Sequence, residues 1–344
     1  ELRHILTRHE QGAAFMADGY ARVAGKPGVA VVTTGPGALN TLTPLGEAYT
    51  DSSPVLAVAT NVERRLLETR RGTLHELRDQ PGAFRSVIGQ CERVMSADEV
   101  GTAFQRAWSV LCGPRTRPAA LDVPNDVLVE TTEAPTPDPP HYKPREPSAD
   151  DIRRAADLLR RAERPLVFAG GGVSAAGATV DLQVLAERLG APVVTTAKGK
   201  GAIPEDHRLS AGYFSPGLDH LVSFVQSRDI VLVIGTRLAG GTASLWQAPC
   251  PQSIIRIDAD PTELASGVTP SLALHADARE TLAALTRELG TRAPTSTDEV
   301  ATIRETTRTQ AAASSPWTDS VMRAIRAAMP RDGLFVLNGD DELG

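Results

Sequence analysis

The chain has few cysteines, no long apolar run and no excess of positive charge. Its three cysteines in 344 residues, Cys91, Cys112 and Cys250, are spaced too widely for a zinc pattern or a disulfide framework. Buried, reduced thiols in a cytoplasmic protein are therefore expected. No segment approaches the roughly 20 apolar residues of a membrane helix, and no signal peptide is recognisable. The net charge of −6 lacks the basic footprint that a nucleic-acid partner would need.

The first sixty residues are patterned as a parallel α/β fold. Small residues from Ala13 to Ala24 are spaced as in a helix, which Gly25 ends. Val29 to Thr33 is a β-branched run typical of a buried strand. A second helix is predicted from Ala38 to Tyr49, before a strand from Val55 to Ala59. A further short buried strand is suggested by Leu2, Ile5 and Leu6. This alternation predicts a parallel sheet with right-handed crossovers, in which ligands bind beyond the carboxyl ends of the strands.

Glu10 and the turn Gly35-Pro36-Gly37 both follow predicted strand ends, so they can face one crevice. Two interpretations of Glu10 compete. Together with Thr7 it has the Ser/Thr-x-x-Glu spacing of a capping box, which would serve only to start a helix. Alternatively, Glu10 is a carboxyl group at the mouth of a cofactor cleft, facing a glycine turn that permits close approach.

Five ordered motifs occupy this stretch, namely Arg8-His9-Glu10-Gln11-Gly12-Ala13-Ala14, Asp18-Gly19-Tyr20-Ala21-Arg22, Gly25-Lys26-Pro27-Gly28-Val29, Gly35-Pro36-Gly37 and Asn40. Together they resemble the pyrimidine-binding domain of thiamine-diphosphate enzymes, and acetolactate synthase large subunits most of all. The resemblance implies that Glu10 is the catalytic glutamate that hydrogen-bonds N1′ of the cofactor's aminopyrimidine. It also implies that Gly35, Pro36, Gly37 and Asn40 bind thiamine diphosphate, with Mg²⁺ held by residues outside this chain.

The segment Leu74-His75-Glu76-Leu77 stands where acetolactate synthases carry an Ala-Phe-Gln-Glu segment that lines the active site. The resemblance implies that His75 and Glu76 lie near the substrate, and a histidine can carry protons near neutral pH. The surrounding residues are also charged enough to form a solvated loop, in which His75 would be structural. Because this segment differs from the one that lines the active site of acetolactate synthases, the sequence does not identify the substrate.

Composition divides the chain into residues 1–133, a proline-rich linker over 134–148, a second α/β domain over 149–290 and a segment over 291–344. The second domain carries Gly170-Gly171-Gly172 after a strand, but Gly177 is too distant for a dinucleotide fingerprint. These glycines either let backbone approach a phosphate or only make tight turns. The predicted fold class is thus two parallel-sheet α/β domains followed by the start of a third.

This second domain resembles the central Rossmann-like domain of the same enzymes. The central domain binds FAD in acetolactate synthases, whereas in other members of the family it binds no nucleotide or a different one. The segment that begins at Arg237 departs from the Arg-Phe-Asp-Asp-Arg sequence of the family, so FAD binding stays open. If FAD binds, the resemblance places near it Arg117, Gly171, Gly172, Arg237 and Asp258.

The two chain ends carry a further expectation. The resemblance implies that the first strand and helix of the first domain precede Glu1, and that most of a diphosphate-binding domain follows Gly344. Asn338-Gly339-Asp340-Asp341 comes too early for the metal-binding motif of that domain and is predicted to be a turn. A homodimer or homotetramer is expected, in which a partner subunit supplies the diphosphate domain. Residues 1–344 alone should then be inactive.

The function that these features predict is decarboxylation of a pyruvate-like 2-oxo acid with carboligation, as in acetolactate synthases. Two alternatives stand beside it. One is another thiamine-dependent 2-oxo-acid decarboxylase or an aldehyde lyase, which the altered segment at His75 favours. The other is a non-catalytic nucleotide-binding relative that keeps the two α/β domains.

Overall fold

A computed structural model of the chain describes residues 3–335, apart from residues 136, 139, 216, 239–245, 247–252 and 291–297. The chain divides into two compact units, Glu1–Arg145 and Glu146–Gly344. Each unit has its own parallel sheet and its own apolar core. Cys250, residues 239–241 after Leu238 and the predicted turn at residues 338–341 lie outside the described residues.

The first unit is built on a four-stranded sheet in the order β1-β2-β4-β3, with every pairing parallel. Short 3-10 turns at Arg64–Leu66, Ala97–Glu99 and Val127–Val129 join some of its elements. In chain order the elements are α1 (Glu10–Ala24), β1 (Gly28–Val32), α2 (Pro36–Asn40), α3 (Leu42–Asp51), β2 (Val55–Asn61), α4 (Gln80–Ile88), β3 (Cys91–Arg93), α5 (Val100–Leu111) and β4 (Ala119–Pro124).

Small residues bring α1 close to the sheet. Its buried face consists mainly of Ala14, Ala17 and Ala21, so the helix backbone can approach β1 closely. Gly28 at the start of β1 completes this fit, because a Cβ there would overlap the carbonyl oxygen of Ala17. The alanine spacing that predicts this helix therefore also fixes its distance from the sheet.

Two sequence expectations for this unit are wrong. The helix predicted from Ala38 to Tyr49 is two helices, α2 and α3, which meet at the buried Thr41. Pro44 contributes to this break, because it has no N–H with which to bond the carbonyl of Asn40. The strand predicted around Ile5 and Leu6 is not formed by the described residues 3–7, where the Leu6 side chain is 86% exposed. Three apolar residues in that segment are too weak a pattern to specify strand pairing.

The second unit has a six-stranded parallel sheet in the order β10-β9-β8-β5-β6-β7. The order reverses between β8 and β5, which is the switch point of a doubly wound sheet. In chain order the elements are α6 (Ala149–Arg161), β5 (Pro165–Ala169), α7 (Gly171–Ala175), α8 (Thr179–Leu189), β6 (Val193–Thr195), β7 (Ser210–Tyr213), α9 (Asp219–Gln226), β8 (Ile230–Ile234), β9 (Ser253–Asp258), α10 (Pro261–Leu264), β10 (Leu272–His275), α11 (Ala278–Leu289), α12 (Asp298–Ser314) and α13 (Pro316–Ala328), with a 3-10 turn at Ala197–Gly199.

The central strands of this second sheet are buried on both faces. Every residue of β5, β6 and β8 is buried, as expected for parallel strands covered by helices on both sides. The predicted fold class of two parallel-sheet α/β domains is confirmed. Among the described residues, no helix is both long enough and apolar enough to cross a bilayer.

The contact of α1 with β1 gives a paired test of packing. Replacing Gly28 with Ala should destabilise the fold by about 1 to 3 kcal/mol, because the methyl group would meet the Ala17 carbonyl oxygen. Gly19→Ala is the matched control, since Gly19 lies in α1 with nothing within 4 Å of an added Cβ. That change should stabilise the helix by roughly 0.5 to 1 kcal/mol. Chemical denaturation measures both, and effects of the same sign would contradict the described packing.

Candidate active site

Glu10 is the first residue of α1 and does not belong to a capping box. The helix is capped by His9, whose Nδ1 accepts a hydrogen bond from the backbone N–H of Gln11 at 3.1 Å. Thr7 instead donates its hydroxyl hydrogen to the carbonyl oxygen of His9. The capping-box interpretation is therefore wrong, because an imidazole nitrogen fills the acceptor role that it gave to the hydroxyl. The Glu10 side chain makes its contact elsewhere.

The Glu10 carboxylate reaches the end of α2. Asn40 Nδ2 donates to Glu10 Oε2 at 3.0 Å, and the break after α2 puts Asn40 at a helix end, where its side chain can make this contact. This hydrogen bond is the largest cause that lowers the pKa of Glu10, and a bond from its own backbone N–H adds to it. Partial desolvation acts in the opposite direction but does not prevail. Glu10 is therefore ionised at neutral pH in this chain.

The turn between β1 and α2 presents backbone to Glu10. A Cβ placed on Gly37 would lie 2.7 Å from Thr33 Cγ2 and 3.4 Å from Glu10 Oε1. Glycine is thus the residue that leaves room beside the carboxylate. Pro36 opens α2, where its fixed backbone angle suits a helix start and its lack of an N–H is tolerated. The structure brings Glu10, Gly37 and Asn40 together.

Gly35 connects the same turn to the segment that contains His75. Gly35 has φ +66° and ψ −113°, a backbone conformation that favours glycine. A Cβ on Gly35 would also overlap the carbonyl oxygen of His75. His75 itself has φ +66°, which is uncommon for a residue with a side chain, and it is exposed. The turn predicted for the cofactor and the residue predicted for the substrate are therefore in backbone contact.

Glu76 follows His75 and folds the loop that carries it. Its Oε1 accepts from the backbone N–H of Arg70 at 2.8 Å, and its Oε2 accepts from that of Thr73 at 3.0 Å. Both carboxylate oxygens of Glu76 are thus engaged within residues 70–76. Of the two predicted substrate residues, His75 is the more exposed.

A buried polar cluster lies behind the turn, at the carboxyl ends of β2, β3 and β4. Asp122 on β4 is completely buried. It accepts hydrogen bonds from Asn61 Nδ2 at 2.9 and 3.1 Å, from Gln80 Nε2 at 2.6 Å and from Arg93 Nε at 2.7 Å. Gln80 Oε1 in turn accepts from the N–H of Gly35 at 2.8 Å. The cluster therefore supports the turn directly.

Sequence reasoning missed this cluster, although a signal was present. Asp122 interrupts the buried strand Ala119–Pro124, and Asn61 ends the apolar strand Val55–Asn61. A carboxylate in a buried strand needs partners, so Asp122 could have been marked as the centre of a polar cluster. Gln80 carried no such signal, because it begins a helix in a charged stretch.

In the second unit, the glycines that follow β5 and β8 pack against one another at the switch point. A Cβ on Gly172 would lie 2.6 Å from the Cα of Gly235, and one on Gly170 would overlap the Gly235 carbonyl oxygen. A Cβ on Gly171 would lie 3.3 Å from the Cβ of Lys198. The tight-turn interpretation therefore accounts for Gly170, Gly172 and Gly235 without any ligand.

The other residues predicted for a nucleotide lie in three places. Arg237 follows β8 and is exposed. Asp258 ends β9, where its Oδ1 accepts from the N–H of Asp260 at 2.9 Å. Arg117 belongs to the first unit, where its guanidinium lies over the Tyr49 ring at 4.3 Å and donates to the Tyr49 carbonyl oxygen. Within the described ranges, no group of three or more His, Cys, Asp or Glu side chains is arranged to hold a metal ion.

The hydrogen bond between Glu10 and Asn40 can be tested by titration. Replacing Asn40 with Leu removes the donor that contributes most to the lowered pKa of Glu10, so that pKa should rise towards the ordinary value of a glutamate. Carbon NMR of protein labelled at glutamate carboxyls measures this, with Glu10→Gln to assign the signal. Gln11→Leu, one residue further along α1, serves as the control. An unchanged Glu10 titration in Asn40→Leu would refute the described contact.

The pair of Arg93 and Asp122 gives a test of stability. Arg93→Met should cost about 2 to 4 kcal/mol of unfolding free energy, because it leaves a buried carboxylate without its cation. Arg65→Met breaks the exposed pair with Glu63 and should change stability by less than about 1 kcal/mol. Urea denaturation of both variants makes the comparison. Equal effects would show that Asp122 does not need Arg93.

Two family profiles and a solved structure match large parts of this chain. The family profile described as the N-terminal TPP-binding domain of thiamine pyrophosphate enzymes matches residues 1–83. The profile of the central domain of the same enzymes matches residues 152–285. A solved structure titled as a putative thiamin diphosphate-dependent enzyme from Mycobacterium smegmatis superposes with a TM-score of 0.73 at 26% identity, covering 85% of this chain and 57% of that one.

Two relatives differ in the activity that their names give. A probable 2-ketoarginine decarboxylase of Pseudomonas aeruginosa is 37% identical over 341 residues, or 96% of this chain and 60% of the relative. A probable acetolactate synthase large subunit of Methanocaldococcus jannaschii is 36% identical over 291 residues, or 82% of this chain and 49% of the relative. The chain thus spans about half to three fifths of these relatives. It belongs to the thiamine pyrophosphate-dependent enzymes and carries the N-terminal TPP-binding and central domains of that family.

Proposed function

We propose that the full-length protein uses thiamine diphosphate to decarboxylate a 2-oxo acid. The observation that carries this proposal is the position of the ionised Glu10 carboxylate beside Gly37, held by Asn40. These residues fit the aminopyrimidine end of the cofactor. A carboxyl group can share a proton with a ring nitrogen that carries a lone pair, and a glycine turn leaves space for a flat ring. Decarboxylation of a 2-oxo acid is also the activity in the name of a relative that is matched over 96% of this chain.

Glu10 has the central chemical role in this proposal. Asn40 donates to Oε2, whereas Oε1 lies beside the turn. Glu10 would share a proton between Oε1 and the N1′ nitrogen of the aminopyrimidine. Because N1′ carries no hydrogen of its own and the pKa of Glu10 is lowered in the free protein, that proton would be taken up from solvent when the cofactor binds. When bound, thiamine diphosphate supplies the electron sink that decarboxylation needs. The protein's task is to orient this cofactor and exclude water from it.

The substrate side of the site is assigned to His75. Its backbone lies against Gly35, so its side chain is anchored at the edge of the turn that would face the cofactor. An imidazole there can form hydrogen bonds with a substrate. We assign Glu76 a supporting role, because both of its carboxylate oxygens already fold the loop. The identity of the 2-oxo acid would then depend on this loop and on residues outside the chain.

Carboligation is the second candidate activity. It is supported by the similarity to the protein named a probable acetolactate synthase large subunit in Methanocaldococcus jannaschii and to the one named acetolactate synthase in Mycobacterium bovis. Both candidates share the decarboxylation step and differ in whether the product adds to a second carbonyl compound. Analysis of products from pyruvate by proton NMR separates them, because only carboligation forms a new carbon–carbon bond.

Three further parts of the proposal concern the whole protein. A homodimer or homotetramer would let a second subunit supply the diphosphate-binding domain, with Mg²⁺ held there. FAD would occupy the second unit near Gly171, Gly172, Arg237 and Asp258. The visible absorption spectrum of the purified full-length protein tests for FAD, and sedimentation velocity tests the oligomeric state.

The role of Glu10 is tested in the full-length protein by the Glu10→Gln variant. Amide for carboxylate keeps the size of the side chain but removes its ability to carry the proton, so turnover should fall by about 10² to 10⁴-fold. Glu47→Gln on the exposed side of α3 is the control and should keep wild-type turnover. Carbon dioxide release from a panel of 2-oxo acids, including pyruvate and 2-ketoarginine, measures both.

Two results would overturn the proposal. If Glu10→Gln turns over at the wild-type rate, Glu10 is not the proton carrier. If the wild-type protein neither binds thiamine diphosphate with Mg²⁺ nor releases carbon dioxide, the non-catalytic nucleotide-binding alternative replaces the enzyme.

A further inference from the structure

Gln80 is a buried side chain whose hydrogen-bonding groups are fully used. It is the first residue of α4 and is 1% exposed. Its Nε2 donates to the carbonyl oxygen of Thr60 at 2.8 Å and to Asp122 Oδ1 at 2.6 Å. Its Oε1 accepts from the N–H of Gly35 at 2.8 Å and from the hydroxyl of Thr34 at 3.3 Å. A carboxamide offers two donors and two acceptor sites, and all four are engaged here.

These contacts join three chain segments that are distant in sequence. Thr60 is near the end of β2, Asp122 is in β4, and Gly35 is the turn after β1. Asp122 is itself fixed by Asn61 and Arg93. The Gly35 turn is therefore attached, through one amide group, to the buried cluster around Asp122.

The same turn is restrained from its other side by the loop of His75. A Cβ on Gly35 would overlap the His75 carbonyl oxygen, so the two backbones are in close contact. His75 holds φ +66°, a conformation that a residue with a side chain adopts only when its surroundings require it. The Gly35 turn and the His75 loop therefore restrain each other where their backbones meet.

We propose that Gln80 is a positioning residue that sets the Gly35-Pro36-Gly37 turn against both Glu10 and the His75 loop. It touches neither cofactor nor substrate. It couples the cofactor side of the site to the substrate side through the backbone of Gly35. This inference rests on the proposed thiamine-dependent function. The contacts that link Gln80 to Gly35, and Gly35 to His75, are present in the chain without a cofactor.

The test uses Gln80→Met and Gln80→Glu in the full-length protein. Methionine matches glutamine in length but forms none of the four hydrogen bonds. The matched controls are Gln90→Met and Gln90→Glu. Gln90 precedes β3, which is the edge strand on the side of the sheet away from β1 and the Gly35 turn. Its Nε2 donates to Glu92 Oε1 at 2.8 Å. Each glutamate variant therefore places a new carboxyl group beside an existing carboxylate.

The first readout needs no cofactor. Hydrogen–deuterium exchange of Gln80→Met should increase in peptides covering residues 33–42 and residues 70–78, whereas Gln90→Met should leave both unchanged. The second readout is the dissociation constant of thiamine diphosphate with Mg²⁺. Losing one well-formed hydrogen bond from the turn corresponds to an increase of about tenfold in that constant, with a fall in turnover at saturating cofactor.

The glutamate variant adds a pH dependence that lost packing alone would not produce. At low pH the new carboxyl group is neutral, so it can still donate to Asp122 and accept from Gly35. As the pH rises it must ionise beside the Asp122 carboxylate, which Arg93 on β3 only partly balances. Cofactor affinity in Gln80→Glu should therefore be near wild type at low pH and weaken as the pH rises. Gln90→Glu should follow the wild-type profile.

Several outcomes would overturn the proposal. One is unchanged exchange at residues 33–42 in Gln80→Met. Another is increased exchange with cofactor affinity and turnover equal to wild type, which would make Gln80 only a structural anchor. If Gln80→Met fails to fold, a flat pH profile for Gln80→Glu overturns it instead. A wild-type protein that binds no thiamine diphosphate overturns the proposed function, and the exchange measurement then decides the Gln80 proposal by itself.

Discussion

A buried carboxylate loses its hydration and is tolerated only where hydrogen bonds and a counter-charge replace the lost water. In the first unit, Asp122 imposes this requirement at the carboxyl ends of three parallel strands. Asn61, Gln80 and Arg93 meet it, and each comes from a different element. Because parallel strands end at one edge of a sheet, satisfying one side chain gathers these elements where a ligand would bind. The polar groups in this cluster thereby organise the site as well as stabilise the fold.

The candidate site is built outward from that cluster. Gln80 holds Gly35, the Gly35 turn meets the His75 loop, and Gly37 of the same turn leaves room for the Glu10 carboxylate. Asn40 then donates to Glu10 from the end of α2 and lowers the pKa of its carboxyl group. Each contact uses either a backbone group or a short polar side chain. These contacts restrain the turn proposed to meet the cofactor, and His75, which is proposed to meet the substrate, is exposed beside that turn.

The sequence predicted the fold class because small and β-branched residues repeat with helix and strand periods. The strand ends before Glu10 and the glycine turn predicted that these two face one crevice, and the family resemblance added Asn40. In the structure Asn40 donates to Glu10, and Gly37 lies beside the same carboxylate. Sequence reasoning failed where a local pattern had two solutions: His9 caps α1 in place of Thr7, and Pro44 divides a predicted single helix. It could not find Gln80, because the partners of that side chain are 20 to 46 residues away in sequence. Such contacts depend on tertiary structure. Glu10 and Asn40 are also distant in sequence, but both belong to motifs that resemble a known family, so they could be recognised.

The most direct measurement is a crystal structure of the full-length protein with thiamine diphosphate and Mg²⁺. One Glu10 carboxylate oxygen should lie within hydrogen-bonding distance of the N1′ nitrogen of the aminopyrimidine, with the ring against Gly35-Pro36-Gly37. The hydrogen bond between the Gly35 N–H and Gln80 should be retained. A cofactor bound away from Glu10, or a turn that has separated from Gln80 to admit it, would contradict the proposed role of these residues.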